Sequence, residues 1–199
     1  MIDRVLKTSL GQMIKGVQVV GARDGDVERL YCSHWVCQVS FDEPILLASV
    51  SPKHDTHPLI AATGVFSVSI LAGDQVAAGQ YFSYPGRRFR YLADELVEDW
   101  DGLPVVPSSI AYLRCEVFDR KLVSDGREGD GDHELFFARV TATREGRLRE
   151  PPLLYSSRLG WRVTGDKARE PGRSIRDELL ERLAAAGFDA TDEPDDTDT

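Results

Sequence analysis

A mainly β fold, an antiparallel barrel with only brief helices, is what these 199 residues predict. Short β-branched and aromatic segments recur along the chain, separated by turn residues. The helical stretches between them are too brief for crossover units, and no Gly-rich strand-to-helix fingerprint is present, so a parallel βαβ sheet is excluded.

The elements follow in chain order. Val5, Leu6, Leu10 and Met13 recur every three to four residues, which predicts one short amphipathic helix that Gly16 ends. Val17, Val19 and Val20 then lead to Asp24-Gly25, a hairpin turn, and Val27 to Trp35 returns as a second extended segment. After Pro44, the apolar run Ile45 to Val50 predicts a strand buried on both faces. Asp55 or Thr56 can cap a short helix with Pro58 in its first turn and Gly64 at its end. Val65 to Leu71 is a strand, and Asp74 caps a helix reaching Tyr81. A loop at Ser83-Tyr84-Pro85-Gly86 leads into Arg87-Arg88-Phe89. Alternation predicts strands around Ala111 to Phe118 and over Glu134 to Thr143, joined by a polar loop from Gly126 to Asp132. Leu153-Leu154-Tyr155 and Trp161-Arg162-Val163 close the body.

That pattern divides the chain into a barrel over 1–165, a linker and amphipathic helix over 166–190, and a disordered tail over 191–199. Leu179, Leu180 and Leu183 share one helical face, whereas Thr191 to Thr199 is acidic and lacks aromatics. Six of the 33 acidic side chains lie within Asp189 to Asp198, so the body carries 24 basic against 27 acidic groups. This near-neutral body lacks the basic surface that nucleic acid or an anionic membrane requires. Asp3, Arg4 and Lys7 interrupt the first ten residues, which excludes a signal peptide there and predicts a cytoplasmic protein. Cys32, Cys37 and Cys115 cannot all pair and lack zinc-ligand spacing, so reduced structural thiols and no metal are expected.

Without a Gly-rich loop, a phosphate-bearing ligand needs another anchor. The helix starting near Thr56 offers free N–H groups and a positive dipole end, with Lys53 and the Ser51 and Thr56 hydroxyls close by. From the residues alone, Thr56 as a simple cap and Lys53 as a solvated side chain is the favoured reading.

The span Trp35-Val36-Cys37-Gln38-Val39-Ser40-Phe41-Asp42-Glu43-Pro44-Ile45, then Lys53, Thr56 to Ile60 and Gly64 to Leu71, resembles the central signature of flavin reductase-like proteins. Gly131-Asp132-His133 is similar to the short Gly-Asp-His motif of that family, and Pro152 to Tyr155 to its closing strand. The resemblance covers roughly residues 10 to 165. It implies a dimeric, Greek-key split barrel that binds FMN near the subunit interface, with FAD as the alternative flavin. It further implies that His34, Trp35, Val36, Cys37, Gln38 and Ser40 line the flavin ring, and that Ser51, Lys53 and Thr56 hold the ribityl phosphate. Arg88 and Phe89 correspond to a second cluster near the cofactor. His133 would position NADH or NADPH for hydride transfer, which needs no protein acid or base.

The chain departs from many relatives at Arg29-Leu30-Tyr31-Cys32, at His34, and at Ala138. His34 is therefore either a flavin contact or a polar residue at a strand end. Trp35, Trp100 and Trp161 are expected in the core or a dimer interface, and Asp94-Glu95 and Glu98-Asp99 on a solvated surface. The implied function is a flavin reductase that supplies reduced flavin to a partner monooxygenase. The alternative is an FMN-binding electron carrier, or a flavin-storage or regulatory protein, without nicotinamide chemistry.

Overall fold

The computed structural model describes residues 3–83, 94–124 and 131–163, together with Ala185. The chain divides into two compact units, Met1–Thr164 and Gly165–Thr199, and the first carries the sheets. The C-terminal helix and tail expected from the sequence lie outside the described residues, Ala185 apart, as do Arg88, Phe89 and most of the loop before Asp132.

The described residues form twelve strands: β1 (Lys15–Gly16), β2 (Gln18–Asp24), β3 (Val27–Ser33), β4 (Val36–Ser40), β5 (Ile45–Val50), β6 (Val65–Ile70), β7 (Glu98–Trp100), β8 (Leu103–Val105), β9 (Ala111–Leu122), β10 (Glu134–Glu145), β11 (Leu153–Ser156) and β12 (Gly160–Val163). Seven form one antiparallel sheet in the order β3-β2-β6-β9-β10-β5-β4, and β1-β11-β12 form a second. β3 and β4 stand at opposite ends of the large sheet, yet only His34 and Trp35 separate them. Three Cα steps reach at most about 11 Å, so the sheet must curl until its edges stand side by side. Because those edges do not pair, the barrel is split, and the seam runs past His34 and Trp35.

Alternation sorts side chains across the curled sheet. Val20, Ala22, Tyr31, Leu46, Ala48, Val50, Phe66, Val68, Phe136 and Ala138 fill the inside, with Ile60 of helix α2 (His57–Thr63). Val17, Val19, Leu71, Ala78, Val106 and Leu153 form a second cluster, with Tyr155 and Trp161 packed on it. Consecutive residues of β2 thus serve different cores, and that strand is buried on both faces. Each fully buried Val, Leu or Phe contributes about 1.5–3 kcal/mol, so these clusters hold the framework on which the seam rests.

Several expectations are corrected. Helix α1 (Arg4–Leu10) closes at Gly11, not Gly16, and residues Lys15-Gly16 pair with β11. None of the α1 side chains is buried in the chain. The second extended segment stops at Ser33 and resumes at Val36, because the chain must cross from one sheet edge to the other. β5 is buried only at Leu46, Ala48 and Val50, since its other face lies outside the core. Asp74 does not cap helix α3 (Val76–Ser83); its carboxylate accepts two hydrogen bonds from Arg147, at 2.6 and 2.7 Å. The polar segment holding Glu98 and Asp99 contains the hairpin β7–β8, where Glu98 pairs with Arg144 and Asp99 with Arg23. The first hairpin holds as expected, with Gly25 at φ 56° in its turn.

Candidate active site

Register brings the candidate residues to one end of the barrel. Val50, the last residue of β5, lies opposite Glu134, the first of β10, so Ser51 and His133 continue from neighbouring strand ends. Trp35 accepts a backbone hydrogen bond from Ser49 at 2.9 Å, which ties the seam to the same end. The small sheet supplies the opposite wall through Lys15 and Tyr155. Between them lies a cleft of about 160 Å³ lined by Lys15, Tyr31, Ser33, His34, Trp35 and His133, among others.

The lining is aromatic. The His34 ring stacks on Tyr155 with centroids 4.3 Å apart and planes within 6°. Trp161 meets both rings edge-on. His133 meets Trp35 edge-on at 4.7 Å, and Lys15 Nζ stands 5.8 Å from the Trp35 ring. On the inner side His54 stacks on Tyr31 at 4.7 Å. Trp35, expected from sequence in a core or dimer interface and, through the resemblance, against the flavin ring, is half exposed at this mouth.

Its electrostatics favour an anion. Among the described residues the lining has no carboxylate, while Lys15 and three histidines contribute donors. Burial, then the charge of Lys15, holds His34 below its ordinary 6.5, and burial followed by His133 does the same for His54. Both rings are therefore neutral at pH 7. Asp132 is held below the usual carboxylate value, mainly through its hydrogen bond to His133 Nδ1 at 3.1 Å, with Lys53 assisting. Burial pushes the Cys32 thiol up to about 11, so it is no nucleophile at neutral pH. The Tyr31 hydroxyl is buried and has no hydrogen-bond partner among the described residues. Burial raises its phenol well above the ordinary 10.

Sequence-derived candidates distribute unevenly about this cleft. His34, Trp35 and His133 line it directly. Val36, Cys37, Gln38 and Ser40 run away from it along β4, where Cys37 and Gln38 are exposed at the sheet edge. Ser51 and Lys53 lie in the connection after β5, where Ser51 Oγ accepts weakly from Lys53 N–H at 3.4 Å. Thr56 stands at the N-cap of α2 but makes no side-chain cap bond and is buried. Tyr31, His54, Lys15 and Tyr155 enter the cleft without having been singled out as site residues. Their only sequence signal is aromatic or cationic character near strand ends, because the pairing that assembles them is long-range.

Residues 10–159 match the family model described as "Flavin reductase like domain". The chain is 29% identical over 155 residues to NADH:riboflavin 5'-phosphate oxidoreductase of Streptomyces pristinaespiralis, covering 76% of this chain and 83% of that one. It is 27% identical over 154 residues to the reductase subunit HsaB of a flavin-dependent monooxygenase from Rhodococcus jostii, covering 76% and 74%. Diflavin flavoproteins of Synechocystis also match, and this chain spans only 21% and 27% of the length of two of them. In fold it is similar to nitrilotriacetate monooxygenase component B of Mycobacterium thermoresistibile, with TM-score 0.71 and 24% identity over 88% of this chain and 93% of that one.

Proposed function

The chain belongs to the flavin reductase-like domain family, and from that premise we propose that it transfers a hydride from NADH to FMN and releases reduced flavin to a partner monooxygenase. The observation that carries this reading is the carboxylate-free, aromatic cleft at the barrel seam. A flavin ring is flat, polar at one edge and joined to a phosphate, so stacking surfaces, neutral donors and nearby cations suit it. FMN supplies the hydride-accepting ring when bound.

Each residue then has a modest task. Ser51 and Lys53 hold the phosphate beside the start of α2, while Thr56 shapes that start from within the core. His34 and Trp35 present the seam, and Val36 to Ser40 offer edge-strand backbone to the ring. Arg88 and Phe89 remain candidates for the same cofactor. His133 orients the nicotinamide, with Asp132 holding Nδ1, and no side chain has to give or take a proton. The electron-carrier alternative is less favoured, because the curated relatives of similar length are named as an NADH-linked oxidoreductase and a reductase subunit.

The proposed assembly is a homodimer. Phe41 is 92% exposed just after β4, with Trp35 and Val39 exposed nearby, and α1 presents Val5, Leu6 and Leu10 to solvent. Free Cys32, Cys37 and Cys115 fit a reducing cytoplasm. Among the described residues no helix is long and apolar enough to cross a membrane. Anaerobic addition of NADH to protein with FMN tests the activity: the oxidised-flavin band should bleach within seconds to minutes. Retained colour would leave the carrier reading in its place.

A further inference from the structure

His57 and Glu134 meet across 77 positions of sequence, with His57 Nε2 2.7 Å from Glu134 Oε2. Their side chains are only 16% and 15% exposed. A carboxylate can only accept, so Nε2 carries the proton and donates whether or not the ring is charged. Arg120 Nε stands 3.6 Å from the other carboxylate oxygen, and Phe136 meets the His57 ring edge-on at 5.5 Å. The contact is thus partnered on both sides and removed from water, where it is worth more than a surface pair.

Its placement suggests its use. Glu134 opens β10 and directly follows His133, whereas His57 opens α2. His133 has few holds of its own: its carbonyl accepts from Val123 N–H at 2.9 Å, and its ring contacts Trp35 and the exposed Asp132. Strand ends fray unless something secures them. Strand alternation sends Glu134 and Phe136 to one face of β10 and His133 to the other. A clamp on the first face therefore fixes the backbone from which His133 reaches the cleft.

We propose that His57 is a positioning residue that acts through Glu134 to hold His133 in place for the hydride donor. The use assigned to His133 rests on the reductase reading, but the strap itself does not. The test compares His57→Leu, which removes the donor, His57→Gln, which restores an N–H near the Nε2 position, and Glu134→Gln, which removes the charge while keeping the shape. In flavin-free protein, the ring proton resonances of His133 should shift or broaden in His57→Leu and return toward the wild-type positions in His57→Gln. In the loaded enzyme, His57→Leu should raise the NADH KM about tenfold, with kcat and FMN affinity within about twofold, since a displaced positioning group loses orientation without losing chemistry. Should His57→Leu fail to fold, Glu134→Gln carries the same comparison and should move both readouts in the same direction. Unchanged His133 resonances in the substituted proteins would overturn the strap, and so would a loss of FMN affinity equal to the rise in KM. A wild-type protein that never oxidises NADH, with His133 still moving in His57→Leu, would leave the strap standing and remove the reductase reading.

Discussion

At the residue scale the cleft is governed by protonation and by a few exposed groups. His34 and His54 are held below 6.5 in the folded chain, so the unfolded chain takes up their protons first as the pH falls. Their contribution is whole above pH 6.5 and is lost as the pH drops through 6.5 toward the lower folded values. Asp74 and Asp99 are also depressed, through Arg147 and Arg23, but they act only as the pH falls below the ordinary carboxylate value of 3.8. Thermal melts between about pH 8 and pH 5 should therefore decline toward acid. His54→Phe, which keeps a ring on Tyr31, should flatten that decline; identical slopes would show that the decline arises elsewhere. Lys53→Ala should weaken FMN by about 1 kcal/mol, nearly fivefold, because an exposed charge-assisted contact is screened. Fluorescence titration reads that change, and unaltered affinity would move the phosphate away from Lys53. His133→Ala should raise the NADH KM while sparing FMN affinity, in steady-state kinetics alongside the same titration. Of these residues, His133 was singled out through the resemblance of Gly131-Asp132-His133 to a family motif and Lys53 as a cation near the start of α2; His133 lines the cleft, and Lys53 stands in the connection after β5. His54 carries no such signal, because its stack on Tyr31 joins β3 to the loop after β5 and no local pattern encodes it.

At the element scale, the hairpin β2–β3, helix α2 and the paired strands β9 and β10 follow from periodicity and turn residues. The hairpin β7–β8 does not, since each of its strands has three residues and the charges of Glu98 and Asp99 suggest open solvent. Their carboxylates are taken up by Arg144 and Arg23 from distant strands. Helix α1 is short for a related reason: none of its side chains is buried among the described residues, so no tertiary packing there extends it. Nor does alternation alone carry β10 against β9, where register shifts fall between Phe137 and Ala138 and between Val140 and Ala142. Close packing of β2 on β8 gives a sharp test. A Cβ at Gly21 would come within 2.2 Å of the Pro104 carbonyl oxygen and 2.7 Å of Ser67 Oγ. Ser67 already donates to that same carbonyl at 2.6 Å, so little room is available. Gly21→Ala should cost about 1–3 kcal/mol in chemical denaturation, the usual range for overpacking; a neutral result would mean that β8 can retreat freely.

At the scale of the whole molecule, the exposed apolar side chains beside β4 and along α1 call for a covering partner, and a second copy is the one proposed. Light scattering of the purified protein should give twice the chain mass, and Phe41→Ser should shift it toward the monomer while leaving the melting profile of dilute protein nearly unchanged. A monomeric wild type would return that surface to some other occupant. The barrel class was legible because short strands and brief helices leave few alternatives, whereas the split came only through the resemblance to the flavin reductase-like family, since it depends on which strands end the hydrogen-bonded order. Lys15 and Tyr155 stand on the small sheet, and Trp35 and His133 at strand ends of the large one, so the cleft has a wall from each. Backbone bonds from Val17 to Leu153, Leu71 to Val17 and Leu153 to Leu71 stitch the two together just behind it. Anything held between those walls acts as a removable cross-link. Amide hydrogens of β1 and β11 should therefore exchange with deuterium more slowly once FMN is added, beyond the few residues of that strand pair that line the cleft, and they should regain their original rates when the flavin is dialysed away.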